Sequence, residues 1–332
     1  MNYSEKEIEE VLNKYKLTED EHKKYYEVIK RLWTADQYPV ENPIAVIIGG
    51  QTGAGKSGLI SYSQKMFPDN NVVIINSDEI KPFHPYGEEI AKKYPELYTK
   101  VTDQESNTWT SKLFEDVRNE KYNLIFEGTM KNNRIADEAI PILQGLGYTV
   151  VVRGLAVSGL ESRLSIHERY EGQVKHKGWG RLVVPEHHNQ TFNGMPNTIE
   201  YIEQNGRYDV LEIYTRGKTP DMPVLKYANH NKNTIEKTSQ VLKNKNFITK
   251  ESQKNNYINA KDSILKVREE NEEQIIDDCK ERFAAIINSM NDRNASKSEK
   301  EQLFELLELY NNTNEKLKKK DYVNKIVDDK ER

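Results

Sequence analysis

Ile44-Ala45-Val46-Ile47-Ile48-Gly49-Gly50-Gln51-Thr52-Gly53-Ala54-Gly55-Lys56-Ser57 is the stretch that decides the fold of this 332-residue chain. Its first half, residues 44–48, is a short continuous apolar run rich in β-branched side chains, which reads as a buried strand. Its second half, Gly50 to Ser57, matches the phosphate-loop pattern G-x-x-x-x-G-K-[ST] and leads into a helical stretch over residues 57–65. The spacing follows from the chemistry. The glycines let the backbone curl so that successive N–H groups face phosphate oxygens, and the helix start adds its positive dipole end. Lys56 supplies charge for the β- and γ-phosphates and Ser57 a hydroxyl ligand for Mg²⁺. Gly50, Gln51, Thr52, Gly53, Ala54, Gly55, Lys56 and Ser57 are therefore expected to hold a nucleoside triphosphate, with Ser57 on the metal.

Outward from this loop, apolar runs at 72–75, 123–126, 148–152 and 210–214 read as further strands. Helical stretches at 105–119, 134–146 and 161–170 lie between them. Strands alternating with helices predict crossover connections and a parallel sheet with helices on both faces. The expected fold is thus α/β, a P-loop kinase domain over 43–218. Residues 1–42 read as a helical N-terminal flank of two short helices. Each opens with a capping box, Ser4 to Glu7 and Thr18 to Glu21. The expected apolar faces are Ile8, Val11, Leu12 and Tyr15, then Tyr25, Val28, Ile29 and Leu32. Pro39 and Pro43 stop helical structure. From 219 strand signals fade, and 219–332 reads as a mostly helical C-terminal region. One long helix is expected to carry the stripe Ile264, Val267, Ile275, Cys279, Phe283, Ile286 and Met290. A last helix opens at the Ser296–Glu299 capping box, with Leu303, Phe304, Leu307 and Tyr310 as its face.

Composition narrows the function. Charged residues make up 31% of the chain against a typical value of about 25%, as expected of a soluble, helix-rich protein. A net charge of -4 argues against nucleic acid as the main partner, because phosphate neutralisation needs a basic surface. No apolar run approaches the roughly 20 residues that span a bilayer, and the acidic, polar first ten residues are not a secretory signal. The expected location is the cytoplasm. The single cysteine, Cys279, excludes an internal disulfide framework and a cysteine-based zinc site.

Other candidate residues follow the strands, where a parallel sheet opens its ligand crevice. Asp78, just past the second strand, either binds Mg²⁺ or takes a proton from an attacking hydroxyl, or else caps the next helix. Glu127-Gly128-Thr129 ends the third strand. Glu127 and Thr129 could hydrogen-bond a polar substrate, Glu127 could face Mg²⁺ through water, or the segment could be a plain turn. Arg163, Arg169 and Arg181 follow the fourth strand. A guanidinium fork there offsets charge on a moving phosphoryl group, although helix arginines most often face solvent. His187 and His188 are adjacent, so they point to different sides of a helix and cannot chelate together.

The order of these pieces resembles the zeta toxin family. The resemblance rests on Gly49 to Ser57, Asp78 with Pro82 and His84-Pro85, Tyr122 to Thr129, Glu168-Arg169-Tyr170-Glu171, and Arg181 leading into Pro185-Glu186-His187-His188. It covers about residues 43–217. It implies a bacterial, ATP- and Mg²⁺-dependent phosphotransferase that phosphorylates the sugar 3′-hydroxyl of UDP-N-acetylglucosamine and so blocks cell-wall precursor synthesis. It further implies that Lys56 and Ser57 hold ATP phosphates and Mg²⁺, and that Asp78 is the catalytic base. Glu127 and Thr129 become substrate contacts, and Arg169 and Arg181 the charge-stabilising arginines. A small helical antitoxin is the implied protein partner. One departure stands out. Where the family carries a further substrate carboxylate before the third strand, this chain has Trp109-Thr110-Ser111, and Glu105 is about a turn earlier. The competing readings are a kinase for another nucleotide such as NAD or for a nucleic-acid end, and an ATP-dependent switch that moves the helical C-terminal part.

Overall fold

The computed structural model describes residues 3–231 and 257–330. Six strands form one sheet: β1 (Ile44–Gly49), β2 (Val73–Ile75), β3 (Leu124–Glu127), β4 (Thr149–Leu155), β5 (Val210–Thr215) and β6 (Val224–His230). Their spatial order is β2-β3-β1-β4-β5-β6. The β2–β3, β3–β1, β1–β4 and β4–β5 pairs are parallel, and β6 runs antiparallel to β5. From β1 the chain crosses to the outer edge at β2, returns to place β3 beside β1, and then passes to the other side of β1 for β4, β5 and β6. The order therefore reverses at β1, which puts the ligand crevice at its C-terminal end.

The helices are α1 (Glu5–Lys14), α2 (Glu19–Trp33), α3 (Lys56–Gln64), α4 (Ser77–Ile80), α5 (Gly87–Lys93) and α6 (Tyr98–Asn119). They continue as α7 (Ile140–Gly145), α8 (Gly159–Lys177), α9 (Pro185–Gln204), α10 (Ala260–Ile275), α11 (Cys279–Asp292) and α12 (Lys297–Lys330). The period-2 alternation of β1 sorts its side chains onto two cores. Ile44, Val46 and Ile48 pack with Leu59 and Ile60 of α3. Ala45 and Ile47 share the opposite core with Trp109 and Leu113 of α6, Ile199 of α9 and Ile264 of α10. Both faces are thus covered, which is why the strand reads as an unbroken apolar run. Among the described residues no helix is long and apolar enough to cross a membrane.

The N-terminal flank packs on the α6 side of the sheet. Both expected capping boxes form. The α2 face is rotated from the expected one. Tyr26 and Ile29 are buried, whereas Leu32 is 52% exposed. The reason is polar anchoring: the Tyr26 hydroxyl donates to Asp116 at 2.6 Å, and the Trp33 indole N–H donates to the Ile74 carbonyl of β2 at 2.8 Å.

The C-terminal region differs from expectation in three places. Strand β6 lies past residue 218, where a mostly helical region with no further strand was expected. Its Lys226, Asn229 and His230 give it the polar composition of an edge strand, which hides the signal. The long stripe breaks between Ile275 and Cys279. Ile264 and Val267 join the sheet core, while Cys279, Phe283, Ile286 and Met290 form a separate cluster with Leu160 and Leu164 of α8. On α12 Leu306 is buried and Phe304 is 61% exposed, so the true face is Leu303, Leu306 and Tyr310. The expectation of helix over 219–332 also includes residues 232–256, which lie outside the described residues.

Candidate active site

The loop after β1 is built by glycine and braced from outside. Gly53 and Gly55 have φ of +79° and +93°, a region that L side chains rarely adopt. A Cβ on Gly53 would lie 2.1 Å from the Ser162 carbonyl. Arg216, at the end of β5, donates to the Ala54 carbonyl at 2.9 Å and to the Gly53 carbonyl at 2.5 Å, and pairs with Glu161 at 2.6 Å. The C=O and N–H of a trans peptide point in opposite directions. Pinning these carbonyls therefore turns the Ala54 and Gly55 amides away from Arg216, and the Ala54 amide closes onto the Gln51 carbonyl at 3.1 Å. Gln51 is fully buried, and its side-chain amide donates to the Val157 carbonyl at 2.7 Å. Lys56 Nζ donates to the Gly50 carbonyl at 3.1 Å and lies 3.4 Å from Glu127 Oε1. Ser57 is exposed in the first turn of α3.

Past β2, the cap of α4 is Asn76, whose Oδ1 accepts from the Asp78 amide at 2.8 Å. Because Asn76 does the capping, the Asp78 carboxylate is left for the cleft. Its Oδ1 receives Lys81 Nζ and Arg181 NH1, each at 2.7 Å. Partial burial pushes the Asp78 carboxyl up, but Arg181 and then Lys81 outweigh it and hold the group well below the usual carboxylate range. The buried Lys81 has a second acid, Asp103 of α6, at 2.8 Å.

Past β3, Glu127 accepts from Asn76 Nδ2 at 2.5 Å. Burial raises its pKa, Lys56 opposes the rise, and the Asp78 charge adds to it. Gly128 donates its amide to the Ile48 carbonyl at 2.9 Å, joining the ends of β3 and β1. Thr129, next in the chain, is half-buried.

Helix α8 carries Glu168-Arg169-Tyr170-Glu171, and the structure divides the motif. Glu168 takes a two-pronged pair from Arg282 at 2.6 and 2.8 Å. Glu171 takes one from Arg293 at 2.6 and 3.0 Å, and the Tyr170 hydroxyl bonds Glu299. These three residues hold α11 and α12. Arg169 alone has no ion pair with the described residues. Desolvation and the charge of Arg181 push its guanidinium down, while Asp78 and Glu127 oppose the shift. These are the charges of the cleft, so Arg169 lies in their field. Arg163 turns away toward Glu305 of α12, at 3.8 Å. Beyond α8, Arg181 donates its amide to Gln173 of that helix at 2.9 Å, and Trp179 packs its ring 5.1 Å from that of Tyr98.

The histidines do part as adjacency requires. His188 is 1% exposed, bonded to Ser162 Oγ at 2.8 Å and lowered to about 4 by burial. His187 is half-buried and feels Lys131, Arg181, Asp103 and Lys81, the last three of which belong to the Asp78 cluster. Glu105 does not face the cleft. It is buried, accepts from the Leu17 amide at 3.2 Å and lies 3.4 Å from His22, so it anchors the N-terminal flank. Ser111 bonds back to the Asn107 carbonyl at 2.9 Å.

The structure therefore brings Lys56, Asp78, Glu127 and Arg181 together at the ends of three adjacent strands, with Arg169 in their field. Sequence reasoning missed Lys81, Asp103 and Arg216. The one available signal was that Asp78 and Lys81 are three apart in a short helix. The donor set also suits Mg²⁺. This ion keeps several waters and is usually held by one or two protein oxygens plus substrate phosphates. An exposed hydroxyl at Ser57 and the carboxylate of Glu127, 3.4 Å from Lys56 Nζ, would meet that need.

Residues 30–223 match the family model described as Zeta toxin. The zeta toxin of Streptococcus agalactiae is 30% identical over 189 residues, covering 57% of this chain and 65% of the relative. The toxin PezT of Streptococcus pneumoniae serotype 4 is 28% identical over 180 residues, covering 54% of this chain and 71% of the relative. The chain thus spans less than two thirds of the S. agalactiae protein. A solved structure from work on the PezAT chromosomal toxin-antitoxin system of Streptococcus pneumoniae superposes with a TM-score of 0.56 at 22% identity. That match covers 79% of this chain and 98% of the other, and it is a likeness of fold.

Proposed function

The chain belongs to the zeta toxin family, and from that premise we propose that it is an ATP- and Mg²⁺-dependent small-molecule kinase. Its acceptor in this reading is the sugar 3′-hydroxyl of UDP-N-acetylglucosamine, and the product blocks cell-wall precursor synthesis. The observation that carries the reading is the convergence on Asp78 Oδ1. One carboxylate oxygen beside a phosphate loop gathers a lysine and an arginine at 2.7 Å each. A pure nucleotide switch needs no such group.

The mechanism is in-line transfer. The loop amides and Lys56 hold the β- and γ-phosphates, with Lys56 exchanging its loop carbonyls for phosphate oxygens. Bound Mg²⁺, held by Ser57 and an acidic neighbour, supplies charge neutralisation on the phosphates. Asp78 accepts the hydrogen bond of the acceptor hydroxyl and aims its oxygen at phosphorus. A carboxylate held this far below its ordinary range is a weak base. Its main work is alignment, with the proton passing late, as suits a loose transition state. Arg181 and Arg169 offset charge on the moving phosphoryl. Glu127 and Thr129 contact the acceptor. Asp103, held by Lys81, adds a second acid beside Asp78. A small helical antitoxin as partner and a cytoplasmic location belong to the same reading.

The test is mass spectrometry of the protein with ATP, Mg²⁺ and UDP-N-acetylglucosamine, with NAD and a no-acceptor control alongside. One phosphoryl group added to the UDP-sugar supports the reading. Transfer to NAD alone removes the acceptor assignment, and acceptor-independent hydrolysis alone removes the kinase.

A further inference from the structure

Arg268 of α10 lies directly behind the phosphate loop. It is 5% exposed and has no carboxylate partner among the described residues. Its NH1 donates to the Phe192 carbonyl at 2.9 Å and its NH2 to Gln51 Oε1 at 3.3 Å, while Nε is buried without a partner. The guanidinium stacks 3.8 Å from the centroid of the Phe192 ring. Burial lowers its pKa to about 10, so the group stays charged at neutral pH. A buried cation without a counter-charge is costly, and folds ordinarily pair it. Elsewhere in this molecule they do: buried Arg153 pairs with Glu212 at 2.7 Å. Among the described residues the hydrogen-bond acceptors of Arg268 are the Phe192 carbonyl and Gln51. Gln51 belongs to the loop, and its own carbonyl receives the Ala54 amide at 3.1 Å and Lys56 Nζ at 3.4 Å.

We propose that Arg268 is a positioning residue of the phosphate loop. Its unpaired charge is offset by the bound triphosphate, so nucleotide binding and the docking of α10 strengthen each other. The residue lies well past position 223, where the family match ends, so the C-terminal helical region completes the nucleotide site. The inference rests on the phosphate loop binding ATP, as proposed above. Coupling of this kind is reciprocal. Nucleotide tightens α10, and loss of the charge loosens nucleotide.

The experiment is titration calorimetry of the full chain with Mg²⁺-ATP on wild type, Lys56→Ala, Arg268→Met and Arg268→Lys, with a melting curve for each. Arg268→Met keeps the packing on Phe192 but removes the charge. It should bind about tenfold more weakly with an unchanged or higher melting temperature, since a buried charge has been removed. Arg268→Lys should recover part of the affinity. Hydrogen exchange over residues 260–275 should slow when Mg²⁺-ATP binds to wild type. A merely structural brace would instead lower the melting temperature and leave the affinity alone. Should the Met variant fail to fold, Arg268→Gln, which keeps a donor for Gln51 without the charge, replaces it. Wild-type affinity in the neutral variant, or equal affinities in the Lys and neutral variants, overturns the inference. If Lys56→Ala binds as wild type does, the phosphate-loop reading itself fails, and the inference with it.

Discussion

Asp78→Asn separates chemistry from architecture. The substitution keeps the shape of the side chain and an oxygen for Lys81 or Arg181, and removes the negative charge on which both converge at 2.7 Å. The Asp78 side chain is 49% exposed. The pair with Arg181 therefore counts as a solvent-screened one, worth about 0.2–1 kcal/mol, and the buried Lys81 keeps its second acid, Asp103, at 2.8 Å. The stability at risk is under about 2 kcal/mol, against the roughly 5–15 kcal/mol that holds a folded protein together. The variant should remain folded. ATP affinity should stay within a few-fold, because Lys56 and the loop amides make no bond to Asp78. Turnover is a different matter. A positioned carboxylate at the acceptor hydroxyl contributes about 10²- to 10⁴-fold, or about 3–5 kcal/mol of barrier. The assay pairs ATP calorimetry with mass-spectrometric phosphoryl transfer to UDP-N-acetylglucosamine. Turnover within tenfold of wild type, or a fall in ATP affinity matching the fall in turnover, would refute the reasoning.

Three further outcomes follow from the same geometry. Gly53→Ala forces a Cβ to 2.1 Å from a backbone carbonyl at positive φ and should abolish ATP binding, whereas Gly147→Ala, also at positive φ but with open space around it, should cost only about 1 kcal/mol in a denaturant titration. Arg293→Met strips the forked pair from Glu171, whose side chain is 8% exposed, and should lower stability by about 3 kcal/mol; the double variant Arg293→Met, Glu171→Gln should recover much of the loss in a mutant cycle. Stability should also fall as pH drops from about 6.5 to 4. His167 and His188 are each held neutral down to about 4 by burial, so the unfolded chain takes up protons that the folded one refuses, worth up to about 3 kcal/mol per histidine. Urea midpoints at pH 7 and pH 5 measure the effect, and an equal midpoint at both would contradict it.

What was legible in the sequence, and what was not, divides along a physical line. Strands β1 to β5 were readable because a sheet covered on both faces needs unbroken apolar runs. The phosphate loop was readable because its glycines and Lys56 are local in sequence. Capping boxes were readable for the same reason, at Ser4, Thr18 and Ser296 alike. The cluster around Asp78 was only half readable. Asp78 and Arg181 are 103 residues apart, and Asp103 meets Lys81 only because α6 crosses α4. Arg216 and Arg268 were silent because each acts on loop carbonyls or on Gln51 from a distant element, with no pattern of its own. The α2 face was misread by one residue because Tyr26 and Trp33 are fixed by hydrogen bonds that hydrophobic periodicity does not weigh. Edge strand β6 was missed because polarity protects an edge and erases the strand signal together.

The Trp33 indole on the Ile74 carbonyl has a meaning beyond packing. Strand β2 is only three residues long and stands at the outer edge of the sheet, where unpaired main-chain groups invite a strand from another molecule. Trp33 takes up one of them. Just before the strand, Asn71 is occupied by Tyr38, which donates its amide to the Asn71 side chain and accepts in return. The segment ahead of β1 thus seals the sheet against self-association. A chain cut before residue 43 would bare that border and also strip Leu17, Tyr26 and Ile29 from the core, so it should lose stability and stick to its own copies together.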